Sequence, residues 1–547
     1  MAVFDVRGVE MHGDRMWSWR WVKRAIDAGA AHGLNALVLH KNDLLDMLAF
    51  PARYFGVEQI WARWPVRYHN IDNNRQYLRA ILRHAGDNGM RVFLQVKEVS
   101  FHDSLLQVRP ELWKDNAICA SDPFWWEYLE AKVDELMCAL PDLGGLIVSP
   151  ATRETRVTIS ANECRCPRCL ATQAEDWYTE LIGAMHRPLA ARGKLLAVRD
   201  FSYTRSNQGA VLRAAGRVSS DIVISLKNTP HDYYPTFPDN PSIGHVGSHP
   251  QWVEFDSWGQ FFGLGIFPAI VLDDMRERFR HCAANGVSGV VARTDWEVIS
   301  DASVFDTLNF SNLSGFAALA QDPSARTEAL VAAQLERPVA TTLGGGLDEA
   351  RFDLTAHPRV RAALRDALLR SWSAMRKTVF VLRHVFHEDC MFPDTLRKAE
   401  MMLLEVHGIA EWEPAQRGAL DASAEKLAEI YAEKDAAVAE ADAMSAAITA
   451  ATEDLPEPGR SQLRDTFSLF AWYARGFRAC ARACFAVRFA SPTAAAEIDA
   501  LAAYRDALGH HLEGTRYTYT AYWMLDTARL DYLVADLRAS ATMSSTR

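Results

Sequence analysis

From residue 4 to about 320, short apolar runs rich in β-branched residues alternate with longer stretches whose apolar positions recur at helical spacing. The runs predict strands at Phe4–Met11, Ala36–His40, Arg91–Lys97, Gly145–Ser149, Leu195–Asp200, Ile222–Lys227, Trp252–Asp256 and Gly289–Arg293. Amphipathic stretches such as Arg20–His32, Asn74–Asn88, Trp125–Leu140, Ala171–Ala191 and Asp273–Asn285 fall between them, each long enough for a crossover. Eight such units predict an α/β fold, a closed (β/α)8 TIM barrel. An open doubly wound sheet would carry a glycine-rich phosphate turn after the first strand. Here that strand leads into Met11-His12-Gly13-Asp14 instead.

Past Ser324 the strand-like runs end, and helical patterns such as Ala424–Thr449 and Ser461–Arg488 follow one another. The predicted organisation is a catalytic barrel over residues 1–322 and an all-α C-terminal domain over 323–547. Gly344-Gly345-Gly346 has no following Lys-Ser/Thr and reads as a linker rather than a phosphate loop. The helical part is expected to brace the barrel or to form a homodimer interface. The alternating charges between Glu425 and Asp442 read first as a solvated face, then as a hairpin or dimer seam.

Composition narrows the partners. Of 547 residues, 59 are Lys or Arg and 69 Asp or Glu, a formal charge of −10, with no basic run to bind a polyanion, so nucleic acid is not an expected partner. No apolar run approaches the length of about 18 residues needed to span a bilayer. The first residues, Met1-Ala2-Val3-Phe4-Asp5, lack the basic and apolar regions of an export signal, so a cytoplasmic location is expected.

In a barrel of this kind, chemistry sits past the C-terminal ends of the strands. Those ends are polar almost all the way round: His40, Lys41, Asn42 and Asp43 after the second, Lys97 and Glu98 after the third, and Arg153 and Glu154 after the fourth. Arg199 and Asp200 follow the fifth strand, Asn228, His231 and Asp232 the sixth, Glu254 and Asp256 lie on the seventh, and Arg293, Asp295 and Trp296 follow the eighth. Any one of these could be a cap or a surface ion pair, whereas seven together describe a polar cavity. Carboxylates, cationic donors and aromatics without a cofactor-cradling loop suit glycoside hydrolysis, in which one carboxyl protonates the leaving oxygen and another activates water or attacks carbon. Trp258, Trp296, Tyr233 and Tyr234 could face sugar rings or pack the barrel. Arg7, His12, His40, Lys41, Asp43, Lys97, Arg153, Arg199, Asn228, Arg293 and Asp295 are candidates for holding hydroxyls or a carboxylate.

Three blocks carry a resemblance: Gly144-Gly145-Leu146-Ile147-Val148-Ser149 with Glu154 beyond it, Leu226-Lys227-Asn228-Thr229-Pro230-His231-Asp232, and Val253-Glu254-Phe255. In this order they resemble the α-glucuronidases of glycoside hydrolase family 67. Asp122-Pro123 with Trp125-Trp126, and Arg199, fit the same pattern over roughly residues 1–320. The resemblance implies a general acid at Glu154, water-activating carboxylates at Asp232 and Glu254, and inversion at the anomeric carbon. It departs in two ways: the lysine that contacts the uronic carboxylate near Ser149 or Pro150 is missing, leaving Arg199 as the carboxylate holder, and the family's N-terminal domain has no counterpart before the first strand. The substrate expected is a small oligosaccharide trimmed at a terminal sugar, with no cofactor for catalysis. A metal-dependent lyase or isomerase using Lys97, Glu98, Asp232 and Glu254, and a sugar-binding barrel without catalysis, are the alternatives.

Nine cysteines are an odd number in a chain of this size and do not suggest a disulfide framework. Cys164, Cys166 and Cys169 fall within six residues. They read either as free thiols or as ligands of a structural zinc, the fourth coming from Cys119 or a histidine.

Overall fold

The computed structural model describes residues 3–114, 116–202, 204–257, 265–296, 301–339 and 351–544. It contains a closed barrel of strands β1 (Val6–His12), β2 (Ala36–His40), β3 (Arg91–Val96), β4 (Gly145–Val148), β5 (Leu195–Arg199), β6 (Val223–Lys227), β7 (Gln251–Asp256) and β8 (Gly289–Arg293), ordered β1-β8-β7-β6-β5-β4-β3-β2. Pairing is parallel, as where Gly8 to His12 lie beside Ala36 to His40, and Ala36 to His40 beside Arg91 to Gln95. The expected TIM barrel is therefore what the chain forms, with a helical C-terminal region after it.

Side chains alternate across a strand, so one parity of each strand fills the barrel. The lower interior is an apolar layer of Val6, Ala36, Val38, Phe93, Ile147, Ala197, Val223, Trp252 and Val291. Two residues past the last of these on seven strands, and four past Val6 on β1, the same parity turns polar, giving Glu10, His40, Gln95, Ser149, Arg199, Ser225, Glu254 and Arg293, all buried. Gly289 makes room for the largest member of the apolar layer, since a Cβ there would meet Trp252 at 2.5 Å. The apolar layer supplies the burial that closes the barrel, at roughly 25 cal/mol per Å² removed from water. The polar layer above it is the floor of the mouth.

The crossover helices are α1 (Trp19–Ala31), α2 (Pro65–Asp87), α3 (Phe124–Ala139), α4 (Ala174–Ala190), α5 (Arg205–Val218) and α6 (Leu272–Ala284). The chain divides into two compact units. One comprises Met1–Asp232, Asp239–Phe255 and Arg278–Arg293; the other gathers Tyr233–Pro238, Asp256–Glu277 and Thr294–Arg547. The second unit is built on α7 (Phe310–Leu319), α8 (Pro358–Val379), α9 (Ala424–Ala451), α10 (Gly459–Arg488), α11 (Ala494–Glu513) and α12 (Thr527–Ser544). Within it the segment after β7 is ordered by side chains. Asn309 accepts from the Ala269 N–H, Asn312 from that of Val271 and Ser371 from that of Ile270, while Phe267 stacks on Phe470 at 5.7 Å. Among the described residues no helix is long and apolar enough to cross a membrane.

Candidate active site

The mouth of the barrel in the first unit is a connected set of charges. His40 Nδ1 lies 2.8 Å from Glu10 Oε1, and the His40 ring stacks on His12 with centroids 3.9 Å apart. Arg293 donates to His12 Nδ1 at 2.7 Å. Gln95 lies between His40 and Arg199, 3.2 Å from His40 Nδ1 and, with its amide oxygen turned toward the guanidinium, 3.3 Å from Arg199 Nε. Arg199 Nε donates to Glu254 Oε2 at 2.5 Å, and Ser225 Oγ donates to Glu254 Oε1 at 2.7 Å. Both oxygens of Glu254 are thus held inside the barrel.

The other two carboxylates differ from Glu254 in one respect. Lys97 Nζ lies 3.2 Å from Glu154 Oε2, which also accepts from Asn42 at 3.0 Å; Lys227 Nζ lies 2.6 Å from Asp232 Oδ1. In each case one oxygen is held by a buried lysine, and among the described residues the second oxygen has no protein partner. Burial alone would raise the Asp232 carboxyl, but the charges of Lys227, His231 and Arg293 outweigh it and hold the group at about 2. Asp232 is therefore ionised at any working pH. Burial lowers the Lys227 ammonium, and Asp232 opposes that fall.

Phe201, just past β5, links the three pairs. The Lys97 ammonium lies 4.1 Å from its ring centre, the Lys227 ammonium 3.8 Å and the Arg199 guanidinium 5.2 Å. Cations within about 6 Å of an aromatic face are attracted by its quadrupole. The ring thus helps gather three cations, each holding one acid.

Glu98 positions the loop that carries Glu154. It accepts from the Ala151 N–H at 2.9 Å and from the Thr155 hydroxyl at 3.1 Å, on either side of Glu154. Val99 and Val157 form a β-bridge beside it. Burial pushes the Glu98 carboxyl up to about 7 even though these hydrogen bonds and Lys97 pull the other way. Ala151 and Arg153 take left-handed backbone conformations in this loop, with φ of 65° and 61°, costly for residues with a Cβ. The Glu98 contacts at Ala151 and Thr155 bracket this segment.

Of the residues read from the sequence, His12, His40, Lys97, Glu154, Arg199, Asn228, Asp232, Glu254 and Arg293 share the first unit's C-terminal strand ends and the segments after them. Four others stand apart from the network. Arg7 is near the start of β1, at the opposite end of the barrel, where it donates to the Phe4 and Gly33 carbonyls at 2.7 and 3.0 Å. Lys41 pairs with the exposed Asp14 at 2.8 Å. Asp43 is exposed at the start of the short helix Leu44–Leu48, and Arg153 is exposed beside Glu154. Asp295, Trp296, Tyr233 and Tyr234 belong to the second unit. There Asp295 is buried and accepts from the Thr294 hydroxyl at 3.4 Å, and Trp296 packs on Trp523 at 5.5 Å. Tyr234 is enclosed by Phe237, Phe380 and His407, which makes it core rather than an open sugar face. Trp258 lies outside the described residues.

Glu10, Gln95, Ser225, Lys227 and Phe201 were not singled out by the sequence reading. The first four follow from strand parity: each lies an even number of residues from an inward apolar side chain of its own strand. Glu10, His12 and His40 also bring three ligand atoms within 4.8 Å of one another. The Arg293 guanidinium on His12 opposes a cation there.

No family model and no curated protein matches this chain. Among solved structures, a GH138 enzyme targeting pectin rhamnogalacturonan II is similar over 100% of this chain and 84% of its own, at 11% identity and a TM-score of 0.65. A Thermobaculum terrenum O-GlcNAc hydrolase aligns with 100% of this chain and 97% of its own at 11% identity, with a TM-score of 0.41, too loose to argue from. At such identity the first likeness is one of fold. It is a likeness to a GH138 enzyme and not specifically to the family 67 α-glucuronidases that the sequence blocks resemble.

Proposed function

We propose that the protein is a glycoside hydrolase that removes a terminal sugar, a uronic acid, from a small oligosaccharide with inversion. The observation that carries this reading is the matched pair of acids, Glu154 and Asp232. Each has one oxygen fixed by a lysine and one left open, and both lysines lie about the Phe201 ring. Glu154, which the sequence blocks match to the acid of the family they resemble and whose side chain is 36% accessible to a leaving group, is assigned the proton transfer to the leaving oxygen. Asp232, permanently ionised, takes the proton of the attacking water through its open oxygen. Glu254, with both oxygens engaged, orients Arg199 rather than acting as base. The uronic acid is taken from the resemblance of the sequence blocks, since Lys97, Lys227 and Arg199 each already hold an acid of the mouth. The likeness in fold to a GH138 enzyme is consistent with hydrolase chemistry on this scaffold.

The test is a screen of aryl glycosides and uronides, followed by NMR of the first-formed anomer from the substrate that is cleaved. Inverted product released as monosaccharide supports the reading; an unchanged anomer overturns inversion, and no release from any uronide overturns the substrate class. The metal-dependent lyase alternative has the Glu10, His12 and His40 cluster in its favour. Formation of an unsaturated or isomerised sugar acid, lost in chelator and restored by a divalent cation, would establish it in place of hydrolysis.

A further inference from the structure

Away from the polar floor of the barrel, two loops of the first unit bring four cysteines together. Cys119 follows the hairpin of Trp113–Lys114 and Ala117–Ile118 in the β3–α3 connection, and Cys164, Cys166 and Cys169 lie in the β4–α4 connection beyond Glu154. All four sulfurs lie within 4.8 Å of one another, with Cys119 Sγ 3.7 Å from Cys166 Sγ and 3.5 Å from Cys169 Sγ. A disulfide holds its sulfurs at about 2.05 Å. Four thiolates at about 2.3 Å from a tetrahedral zinc sit about 3.8 Å apart, close to the separations seen.

The surroundings are those of a closed metal knuckle. Cys166 caps the short helix Pro167–Ala171, and its sulfur accepts from the Cys169 N–H at 3.4 Å, the kind of outer hydrogen bond that orients a thiolate ligand. Asn162 accepts from the Cys164 N–H at 3.0 Å. On the other loop, Trp125 donates to the Cys119 carbonyl and Trp177 to that of Ala120, each at 2.8 Å, so α3 and α4 both fix the backbone that presents Cys119. Cys119, Cys164 and Cys169 are buried with Ala117 in a small cluster of their own, and a surface hollow lined by Asp122, Glu163 and Arg165 reaches them from solvent. Four soft donors with no carboxylate or imidazole among them leave no open coordination position, which suits a structural and not a catalytic ion.

We propose that Cys119, Cys164, Cys166 and Cys169 bind one structural zinc ion that clamps the β3–α3 loop to the loop carrying Glu154. The site does not depend on the hydrolase reading, since its readouts need no substrate. Metal analysis of the purified full chain is expected to find one zinc per chain that survives dialysis and is released by a thiol-specific mercurial. The Cys164→Ser/Cys169→Ser variant should hold at least about tenfold less zinc, whereas Cys138→Ser, at an exposed thiol elsewhere, should hold as much as wild type. Should the double variant fail to fold, cobalt substitution of the wild-type chain decides: thiolate-to-cobalt charge transfer with the visible bands of a tetrahedral site supports the proposal. A chain purified without zinc that takes up neither zinc nor cobalt, or peptide mapping that finds these cysteines paired in disulfides, overturns it. Limited proteolysis gives the clamp its own readout. Stripping zinc should open cleavage between residues 150 and 172, and an unchanged digest would overturn the clamp.

Discussion

At the scale of single residues, the assignment of Asp232 over Glu254 as base rests on which oxygens are already taken, and substitution separates the two. Asp232→Asn is expected to lower turnover by about 10²–10⁴, the range of general acid–base contributions, on every substrate. Glu154→Gln should lower it by a similar factor on a disaccharide but far less on an aryl glycoside whose leaving group needs no proton. Equal losses on both substrates would remove Glu154 as the acid. Glu254→Gln removes the carboxylate charge to which the Arg199 guanidinium, 1% exposed, donates. Its expected signature is a loss of fold stability of about 3–5 kcal/mol by urea denaturation, and full stability with abolished turnover would point to Glu254 as the base after all. Much of this was legible in the sequence. The polar strand ends pointed to His40, Lys97, Arg199, Asp232 and Arg293 because the C-terminal ends of barrel strands form the mouth. Nearness to a strand end was too coarse a rule, however. Arg7 lies at the wrong end of its strand and Lys41 turns to the rim, while Glu10 and Gln95, an even number of residues from Val6 and Phe93, point inward. Phe201 had no signal at all, because only the fold brings Lys97 and Lys227 to its ring.

At the scale of elements, the loop after β4 answers to the protonation of Glu98. The carboxyl has an ordinary value of 4.5 and is held at about 7 by burial. Because the folded value is the higher one, the favourable contribution of the protonated group is fully present below 4.5. It is lost as pH rises from there through about 7, on the order of 3 kcal/mol in all. Wild-type protein should therefore lose stability between about pH 5 and about pH 8 relative to Glu98→Gln, which keeps an acceptor for the Ala151 N–H without a titrating proton. Parallel urea curves at the two pH values check this, and an equal pH dependence in the variant would show that Glu98 is not its source. The eight strands were legible to within a residue or two, since each couples an apolar run to a polar end. The charge alternation along α9 was less so. Arg475 reaches Asp442, and Arg478 and Arg482 reach Asp435, an antiparallel register in which charges read as a solvated face join α9 to α10. Helical periodicity identifies a charged stripe, but the partner that lies beside it comes from the fold.

At the scale of the whole molecule, the boundary expected at residue 322 meets a unit built across it. Segments Asp256–Glu277 and Thr294–Arg547 belong to one compact unit, so its order draws on residues on both sides of that point. Ser371 takes the Ile270 N–H, and Phe470 and Tyr473 pack on Phe267, whose side chain is fully buried. A chain ending at residue 322 would return Phe267 and its neighbours to water, at about 1.5–3 kcal/mol for each large side chain, and would leave the Ile270 N–H without its acceptor. Against a typical stability of about 5–15 kcal/mol, a few such losses are decisive. The 1–322 fragment should therefore appear in size-exclusion chromatography as aggregate, or bind a hydrophobic dye as a loosely packed chain, while the full chain does neither. If the fragment instead elutes as a compact monomer with native near-ultraviolet dichroism, the contacts of Ser371, Phe470 and Tyr473 are dispensable and the helical C-terminal region is an accessory to an independently folding barrel.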